Sequence, residues 1–232
     1  CSPGAARSKL DYYFIPAEFL KAEYMEQGIP GNKIVATGIP VCREFYTGTS
    51  KAEAKRNQGI DPAKAHLLVM CGSMGCGPLE KLTMLLAKQM DGSTELSIVC
   101  GTNEKRKEEL AKKFGSESNI HIYGFVQDMN AMMDSADLYL TKPGGLSTTE
   151  AAAKHLPMVF IDAVAGCEEY NLNYFVSIGG AVTAEDPEDL AQLCIRLIKD
   201  SPKRNAMASA LAASIPKYAA QHIYDVMKED AP

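Results

Sequence analysis

The chain has 232 residues, of which 46% are hydrophobic and 23% charged, the balance of an ordinary globular protein. This composition excludes wholesale disorder, and the length allows one large domain or a domain and a half. The formal net charge is −5 and the isoelectric point is near 5.5. We expect no nucleic-acid partner, because such a protein would carry a basic binding surface.

The chain carries seven cysteines, an odd number, and no Cys-x-x-Cys pair. We therefore expect neither a disulfide framework nor a zinc site, and interpret the cysteines as reduced residues of a cytoplasmic protein. The sequence contains no run of about 18 apolar residues, so we predict no transmembrane helix. The first residues include neither a signal peptide nor an initiator Met, which indicates a chain that begins within a longer protein.

The N-terminal residues predict a small alternation of strands and helices. A strand is predicted at residues 11–16, a helix at 17–27, a second strand at 33–37 and a polar helix within 46–62. Alternation of this kind is typical of α/β proteins.

From residue 66 onward, short apolar runs alternate with helical patterns. Strands are predicted at residues 66–70, 96–100, 120–123, 138–140, 158–161 and 181–182. Helical patterns lie at residues 79–90, 103–114, 150–154, 190–198 and 217–228, with an alanine-rich segment at 201–216. Runs that are apolar on both faces fit strands of a parallel sheet covered on both sides. The sequence therefore predicts an α/β fold with a doubly wound parallel sheet.

Ligands of such sheets bind beyond the carboxyl ends of the strands. The first core strand is followed by a glycine-rich loop with Gly72, Ser73, Met74 and Gly75. Its glycines would let backbone N–H groups approach a phosphate, although a tight strand-to-helix turn explains them equally well. The spacing is neither that of a P-loop nor G-x-G-x-x-G, which makes a nicotinamide-dependent enzyme a poor alternative.

A second glycine-rich loop follows the strand at 138–140 and opens a helix. It contains Pro143, Gly144, Gly145, Ser147 and Thr148. The glycines would expose the first N–H groups of the helix, and the hydroxyls would add donors, so this loop predicts a pyrophosphate site. Glu150 lies beside it, where its carboxylate would accept hydrogen bonds from a ribose diol or, alternatively, satisfy the helix dipole.

A third loop follows the strand at 158–161. It contains Gly166, Cys167, Glu168, Glu169 and Asn171. The acidic and amide side chains are able to bind sugar hydroxyls, but by itself this segment is better explained as the start of an acidic helix. Three such loops at one sheet edge together predict a nucleotide diphosphate sugar as the ligand.

Several motifs occur in the order of a known family. They are Tyr123-Gly124-Phe125-Val126-Gln127-Asp128-Met129, Ser135-Ala136-Asp137, Lys142-Pro143-Gly144-Gly145 and Thr148-Thr149-Glu150-Ala151. Similar motifs at residues 11–16, 37–41 and 205–223 extend the match to nearly the whole chain. The chain resembles the C-terminal, donor-binding domain of the family 28 glycosyltransferases, in the branch of monogalactosyldiacylglycerol synthase and processive diacylglycerol glucosyltransferase.

The resemblance implies the C-terminal half of a GT-B-type enzyme, in which two Rossmann-like domains face each other across a cleft. Residues 1–45 would be a remnant of the N-terminal domain with the linker. Residues 46–200 would form the UDP-sugar-binding domain, and residues 201–232 would be helices that cross back to the N-terminal domain. Roughly 140 to 170 residues of N-terminal domain would be missing.

The resemblance also implies roles for the nucleotide-binding residues. Phe125 and Val126 would receive the uracil, through the backbone of Phe125, and Glu150 would bind the ribose hydroxyls. The diphosphate would be held by the Gly72–Gly77 loop and by the pair Gly144–Gly145.

Glu168 and Asn171 would contact the sugar. Two positions depart from the family pattern: Cys167 stands where a glutamine is frequent, and Thr102-Asn103 where an Arg-Asn pair is common.

The implied activity is an inverting transfer of a hexose from a UDP-sugar to a lipid acceptor such as diacylglycerol. No cofactor or metal is expected, because no Asp-x-Asp motif occurs and helix N-termini would stabilise the departing diphosphate. The catalytic base is expected on the missing domain, so the chain alone should bind the donor without turnover. The full-length protein would act in the cytoplasm, peripheral to the inner face of the cell membrane.

The four histidines are not convincing bases. We expect His66 and His121 on strands and His155 and His222 on helices, all in structural roles. Two alternatives to the glycosyltransferase remain: an enzyme similar to the UDP-sugar 2-epimerases, and a donor-binding subunit that requires a separate acceptor subunit.

Overall fold

The computed structural model describes residues 7–70, 79–161 and 166–229, with only the backbone of Cys167. The chain forms two compact units. The larger unit comprises Thr47–Ser214, and the smaller unit comprises Cys1–Tyr46 together with Ile215–Pro232.

Eight strands occur in the described residues. They are β1 (Tyr13–Ile15), β2 (Ile34–Ala36), β3 (Ala65–Met70), β4 (Thr94–Val99), β5 (Ile120–Tyr123), β6 (Leu138–Thr141), β7 (Met158–Phe160) and β8 (Ala181–Thr183). The last six form one sheet in the order β5-β4-β3-β6-β7-β8, and every neighbouring pair is parallel. The predicted doubly wound parallel sheet is confirmed, with strand ends that differ from the predicted ones by a few residues.

Helices connect these strands. They are α1 (Lys21–Glu26), α2 (Lys51–Asn57), α3 (Leu79–Gln89), α4 (Glu104–Phe114), α5 (Met129–Ser135), α6 (Gly145–Ala153), α7 (Cys167–Ser177), α8 (Pro187–Lys199), α9 (Ser201–Ser214) and α10 (Ala219–Glu229). Short 3-10 helices lie at Glu18–Leu20, Gly31–Lys33 and Arg43–Tyr46. Among the described residues, no helix is long and apolar enough to cross a lipid bilayer.

Several helix predictions need correction. The helix predicted within residues 46–62 is α-helical only from Lys51 to Asn57, because Gly59 has a φ of +72° that a right-handed helix does not allow. The helical pattern at residues 150–154 belongs to α6, which begins at Gly145, where the sequence predicts the first N–H groups of the helix. His155 is expected on a helix, but it lies in the turn after α6, where its φ is +54°.

The core of the larger unit forms where apolar strands meet apolar helix faces. All six residues of β4 are buried. On one side of the sheet, Leu82 and Leu86 of α3 belong to the same buried cluster as Leu190 and Cys194 of α8. The apolar residues at i, i+3 and i+4 that predict an amphipathic helix therefore form the face of α8 that packs in this core.

The strand order creates a reversal between β3 and β6. From β3 the chain moves outward to β4 and β5, and it then returns to the other side of β3 as β6. In open α/β sheets, ligands bind beyond the carboxyl ends of the strands at such a reversal.

A buried ion pair ties helices to the opposite, amino-terminal end of the same two strands. Asp137 precedes β6, and its Oδ2 accepts hydrogen bonds from the backbone N–H of His66, at 2.8 Å, and from Lys55 Nζ, at 2.7 Å. Lys51 Nζ lies 3.3 Å from the other carboxylate oxygen. Burial alone would raise the pKa of Asp137, but the two lysines and the hydrogen bonds lower it.

The imidazole of His66 is buried beside this ion pair. Its Nε2 lies 2.9 Å from Ser97 Oγ, and its Nδ1 lies 3.1 Å from Ser135 Oγ. Burial lowers the pKa of His66 to about 4, so the ring is neutral at physiological pH. Both ring nitrogens are used within the core, in agreement with the structural role predicted for this histidine.

The smaller unit has a core of its own. Strands β1 and β2 pair in parallel, with Tyr13 opposite Ile34. Ile15, Ile29 and Ile34 are buried between these strands and α1. Gly38 has a φ of +87°, and a side chain there would meet Pro216 at 3.3 Å.

Replacing Asp137 with asparagine should lower the free energy of unfolding by about 3 kcal/mol, because Lys55 would keep a buried charge without its counter-ion. Lys55 is only 5% exposed. Urea denaturation of the Asp137→Asn variant measures the loss. The matched control is Glu188→Gln, which breaks a half-exposed pair with Lys81 and should change stability little. Equal losses in both variants would contradict the role given to Asp137.

His66 should make the protein less stable in mild acid. Its pKa is depressed in the native state, so the unfolded chain binds more protons between pH 6.5 and about 4, and stability falls as the pH falls through that range. We expect a loss of about 2 kcal/mol between pH 7 and pH 4.5. Denaturation of the wild type and His66→Gln at both pH values measures this; the same loss in both proteins would refute it.

Candidate functional site

The candidate site lies at the carboxyl ends of the sheet strands, where the sequence predicts three ligand-binding loops. The described residues include the loop after β6 and part of the loop after β7. The predicted residues Gly72, Ser73, Met74 and Gly75 lie outside the described residues, as does the side chain of Cys167. Their roles stay predictions.

The N-terminus of α6 forms the centre of this edge. Gly144 is the N-cap residue, with an extended backbone (φ −75°, ψ 143°), and Gly145 is the first helical residue. The first intrahelical bond runs from the N–H of Thr148 to the Gly144 carbonyl, 3.2 Å. The N–H groups of residues 145–147 therefore precede the hydrogen-bonded part of the helix, and they carry its positive end.

Two hydroxyls stiffen this turn from inside the helix. Thr148 Oγ1 donates to the Gly144 carbonyl and Thr149 Oγ1 to the Gly145 carbonyl, both at 2.6 Å. Thr148, predicted to offer a hydroxyl donor to a ligand, is buried and gives its hydrogen to the backbone instead. Ser147 is half-buried, and its Oγ lies 3.6 Å from the position that a Cβ would take on Gly144.

Glu150 lies in the second turn of α6 and is half-buried. No hydrogen bond or ion pair joins its carboxylate to any residue within 7–70, 79–161 or 166–229, and burial raises its pKa. A buried carboxylate is normally paired, because removing its charge from water costs free energy. Glu150 shares a helix face with Leu146, four residues earlier, whose side chain is 66% exposed.

The start of α7 contributes the third group of predicted residues. Gly166 has a φ of +98°, and its N–H donates to the carboxylate of Glu169, 3.2 Å away. Glu169 therefore caps its own helix, and Glu168, the residue before it in the first turn, is half-buried. Asn171 Nδ2 donates to the carbonyl of Pro143, at 2.8 Å, and so connects α7 to the loop before α6.

Phe125 and Val126 follow β5, the outermost strand on the other side of β3. Phe125 is 71% exposed, whereas Val126 is half-buried. Two strands separate β5 from β6, so the two loops are about three strand spacings, or about 14 Å, apart. A ligand that reaches both must be elongated.

The sequence analysis missed two exposed apolar side chains at this edge. Leu146 lies in the first turn of α6, and Tyr170, which is 52% exposed, lies in the first turn of α7. Both residues stand in the predicted ligand-binding loops, where the sequence analysis considered only glycines and polar side chains. Together with Phe125, they give this edge an apolar character between its glycines and carboxylates.

Comparison with known proteins gives matches over most of the chain. Residues 79–212 match the model of the family described as glycosyl transferases group 1. The chain is 30% identical over 213 residues to the processive diacylglycerol beta-glucosyltransferase of Staphylococcus aureus strain Newman. The match covers 91% of this chain and 54% of that relative, so the chain spans about half the length of the curated relatives it matches.

Two solved structures share the fold. MurG of Acinetobacter baumannii superposes with a TM-score of 0.63 at 21% identity, over 85% of this chain and 58% of MurG. The UDP-GlcNAc 2-epimerase of Neisseria meningitidis, bound to UDP-GlcNAc, superposes with a TM-score of 0.73 at 17% identity, over 95% of this chain and 61% of the epimerase.

We expect the Glu150 carboxylate to lower the stability of the ligand-free protein at neutral pH. The pKa of Glu150 is raised in the native state, so its contribution to the free energy of unfolding falls as the pH rises from the unfolded-state pKa of 4.5 through the raised native pKa. Glu150→Gln should therefore melt about 1–2 °C higher than the wild type at pH 7.5. The difference should vanish towards pH 4.5, where the carboxyl group is increasingly protonated in both states.

Thermal melts at several pH values measure this difference. Glu108→Gln serves as the control, because Glu108 is an exposed glutamate on α4. A Glu150→Gln variant less stable than the wild type at pH 7.5 would show that the carboxylate has a stabilising partner.

Proposed function

The chain belongs to the glycosyl transferases group 1 family, and we propose that its larger unit binds the UDP-sugar donor of an inverting glycosyltransferase. The predicted resemblance to the processive diacylglycerol glucosyltransferase branch is confirmed by the Staphylococcus aureus relatives. The proposal concerns the ligand, its orientation and the reaction, each of which is supported by a feature of the sheet edge.

The observation that carries the proposal is the carboxylate of Glu150. It is half-buried beside the N-terminus of α6 and has no hydrogen-bonding or ionic partner within the described part of the chain. A vicinal diol offers two O–H donors to such a carboxylate and compensates its desolvation. A phosphate group suits the N–H groups of residues 145–147, which precede the first hydrogen bond of the helix. A ribose joined to a diphosphate presents both groups at the required short separation.

The spacing of the loops supports an orientation for the nucleotide. Phe125 and Val126 lie about 14 Å from the loop after β6, a distance that a uracil, ribose and diphosphate in extended form would bridge. The base would contact the backbone at Phe125, and the ribose would contact Glu150. The diphosphate would lie against Gly144 and Gly145, so that the sugar would point towards Glu168 at the start of α7.

The proposed reaction is a single displacement. The oxygen of an acceptor hydroxyl attacks the anomeric carbon, the bond from that carbon to the β-phosphate oxygen breaks, and UDP leaves with the electron pair. The hydroxyl proton passes to a base that we place outside this chain. The positive end of α6 stabilises the charge on the departing diphosphate, and no metal is required in this scheme.

The acceptor is proposed from the relatives. Their name specifies diacylglycerol, a lipid, so we propose a lipid acceptor and peripheral contact of the whole protein with the inner face of the cell membrane. The chain covers about half of those relatives. We therefore expect it to bind the donor by itself and to transfer sugar only with an acceptor-binding partner domain or subunit.

A second candidate is epimerisation at carbon 2 of a UDP-sugar. The 2-epimerase shares the fold with a TM-score of 0.73, compared with 0.63 for MurG. At 17% identity, the likeness shows the fold alone. Incubation with UDP-GlcNAc in D₂O distinguishes the two, because only an epimerase exchanges the proton at carbon 2 without an acceptor.

The donor-site proposal predicts that the chain binds UDP and that Glu150→Ala binds it at least tenfold more weakly, about 1.4 kcal/mol. The physical reason is the loss of two hydrogen bonds to the ribose. Calorimetric titration of the wild type, Glu150→Ala and the control Glu108→Ala measures this effect. The control removes an exposed carboxylate from α4 and should bind UDP like the wild type.

Equal affinities in all three proteins would contradict the role of Glu150. A wild type that binds GDP or ADP as tightly as UDP would contradict the assignment of the base to Phe125 and Val126. A wild type that does not bind UDP at all would contradict donor binding by this chain alone.

A further inference from the structure

The loop before α6 is short and contains two glycines in succession, so its conformation depends on hydrogen bonds. Gly144 and Gly145 lack side chains that could pack. Within the helix, the hydroxyls of Thr148 and Thr149 hold the carbonyls of these glycines. Pro143, the residue before them, is held by α7. Its carbonyl accepts a hydrogen bond from Asn171 Nδ2, at 2.8 Å.

Asn171 sits on a rigid support. Phe175, four residues later on the same face of α7, is buried and makes an edge-to-face contact with Phe160 of β7, with ring centroids 6.0 Å apart. The N-terminus of α7 is capped by the bond between Gly166 and Glu169. The α7 helix is therefore fixed to the sheet at one end and capped at the other, and Asn171 lies between these two points.

The contact joins the two loops of the proposed donor site. Asn171 Nδ2 also lies 3.9 Å from the position that a Cβ would take on Gly145, the first residue of α6. The amide is thus against the turn whose N–H groups would hold the diphosphate. Small displacements of such donors weaken binding strongly, because hydrogen-bond energy depends on distance and angle.

We propose that Asn171 is a positioning residue: by holding the Pro143 carbonyl, it aligns the first-turn N–H groups of α6 for the diphosphate. This inference rests on the proposed function and refines it, because the resemblance to family 28 implies a contact between Asn171 and the sugar. The hydrogen bond to Pro143 commits one N–H of the amide and sets the orientation of the whole group.

A positioning role and a direct sugar contact predict different losses of binding affinity for three ligands when Asn171 is replaced. In Asn171→Asp, an oxygen replaces the donor nitrogen with almost no change of shape, and a carboxylate faces the Pro143 carbonyl. A positioning role predicts unchanged affinity for uridine, which has no phosphate, and equal losses of at least tenfold for UDP and UDP-glucose. A direct sugar contact predicts a loss for UDP-glucose alone.

The experiment is a titration of the wild type, Asn171→Asp and Asn171→Ala with uridine, UDP and UDP-glucose. Asn173→Asp is the matched control, because Asn173 is exposed on the same helix and undergoes the same change of charge. We expect Asn173→Asp to lose less than threefold for UDP, which separates local geometry from added negative charge. Asn171→Ala, which adds no charge, should also lose UDP and UDP-glucose affinity by one common factor.

Three results would overturn the inference. They are a loss confined to UDP-glucose, an equal loss for uridine and UDP, and a loss in Asn173→Asp as large as that in Asn171→Asp. Failure of the proposed function is recognised separately, because the wild type itself would then fail to bind UDP. A melting temperature measured for each variant identifies general destabilisation, which would weaken all three ligands together.

Discussion

Asp137 joins the two central strands of the sheet at their amino ends. Its N–H donates to the His66 carbonyl and its carboxylate accepts the His66 N–H, each at 2.8 Å, so the junction between β3 and β6 is closed by a pair of hydrogen bonds. Lys55 neutralises the charge and brings α2 against the same point. Because both strands are parallel and in fixed register, their opposite ends are also held side by side. The relative position of those carboxyl ends depends on this junction.

The two ends of the strands differ in how their polar groups are satisfied. At the amino ends, Asp137, Lys55 and His66 bond to one another and to the backbone, which stabilises the fold. At the carboxyl ends, the N–H groups at the start of α6 precede the helix's own bonds, and the Glu150 carboxylate has no partner in the described part of the chain. Polar groups left in this state reduce stability and are available to a ligand, as expected for a binding site.

The likeness to both glycosyltransferases and epimerases follows from this arrangement. A parallel sheet with a reversal at its centre offers helix N-termini to a diphosphate, whichever reaction then takes place at the sugar. Fold similarity therefore does not separate the two classes, whereas the 30% identity with the diacylglycerol glucosyltransferases and the family match favour sugar transfer.

The sequence by itself determined the sheet, the helices around it and the sheet edge to examine, because apolar runs and glycine positions are local signals. It also indicated the start of α6 at Gly144 and Gly145, which the structure confirms, because two glycines after a strand and before helix-forming residues mark a helix N-terminus. It did not show that Thr148 and Glu169 satisfy the backbone, whereas the Glu150 carboxylate has no partner within the described residues. The partners of a polar side chain depend on contacts between distant segments. Asn171 and Pro143, for example, are 28 positions apart in the sequence, and only the tertiary structure brings them together.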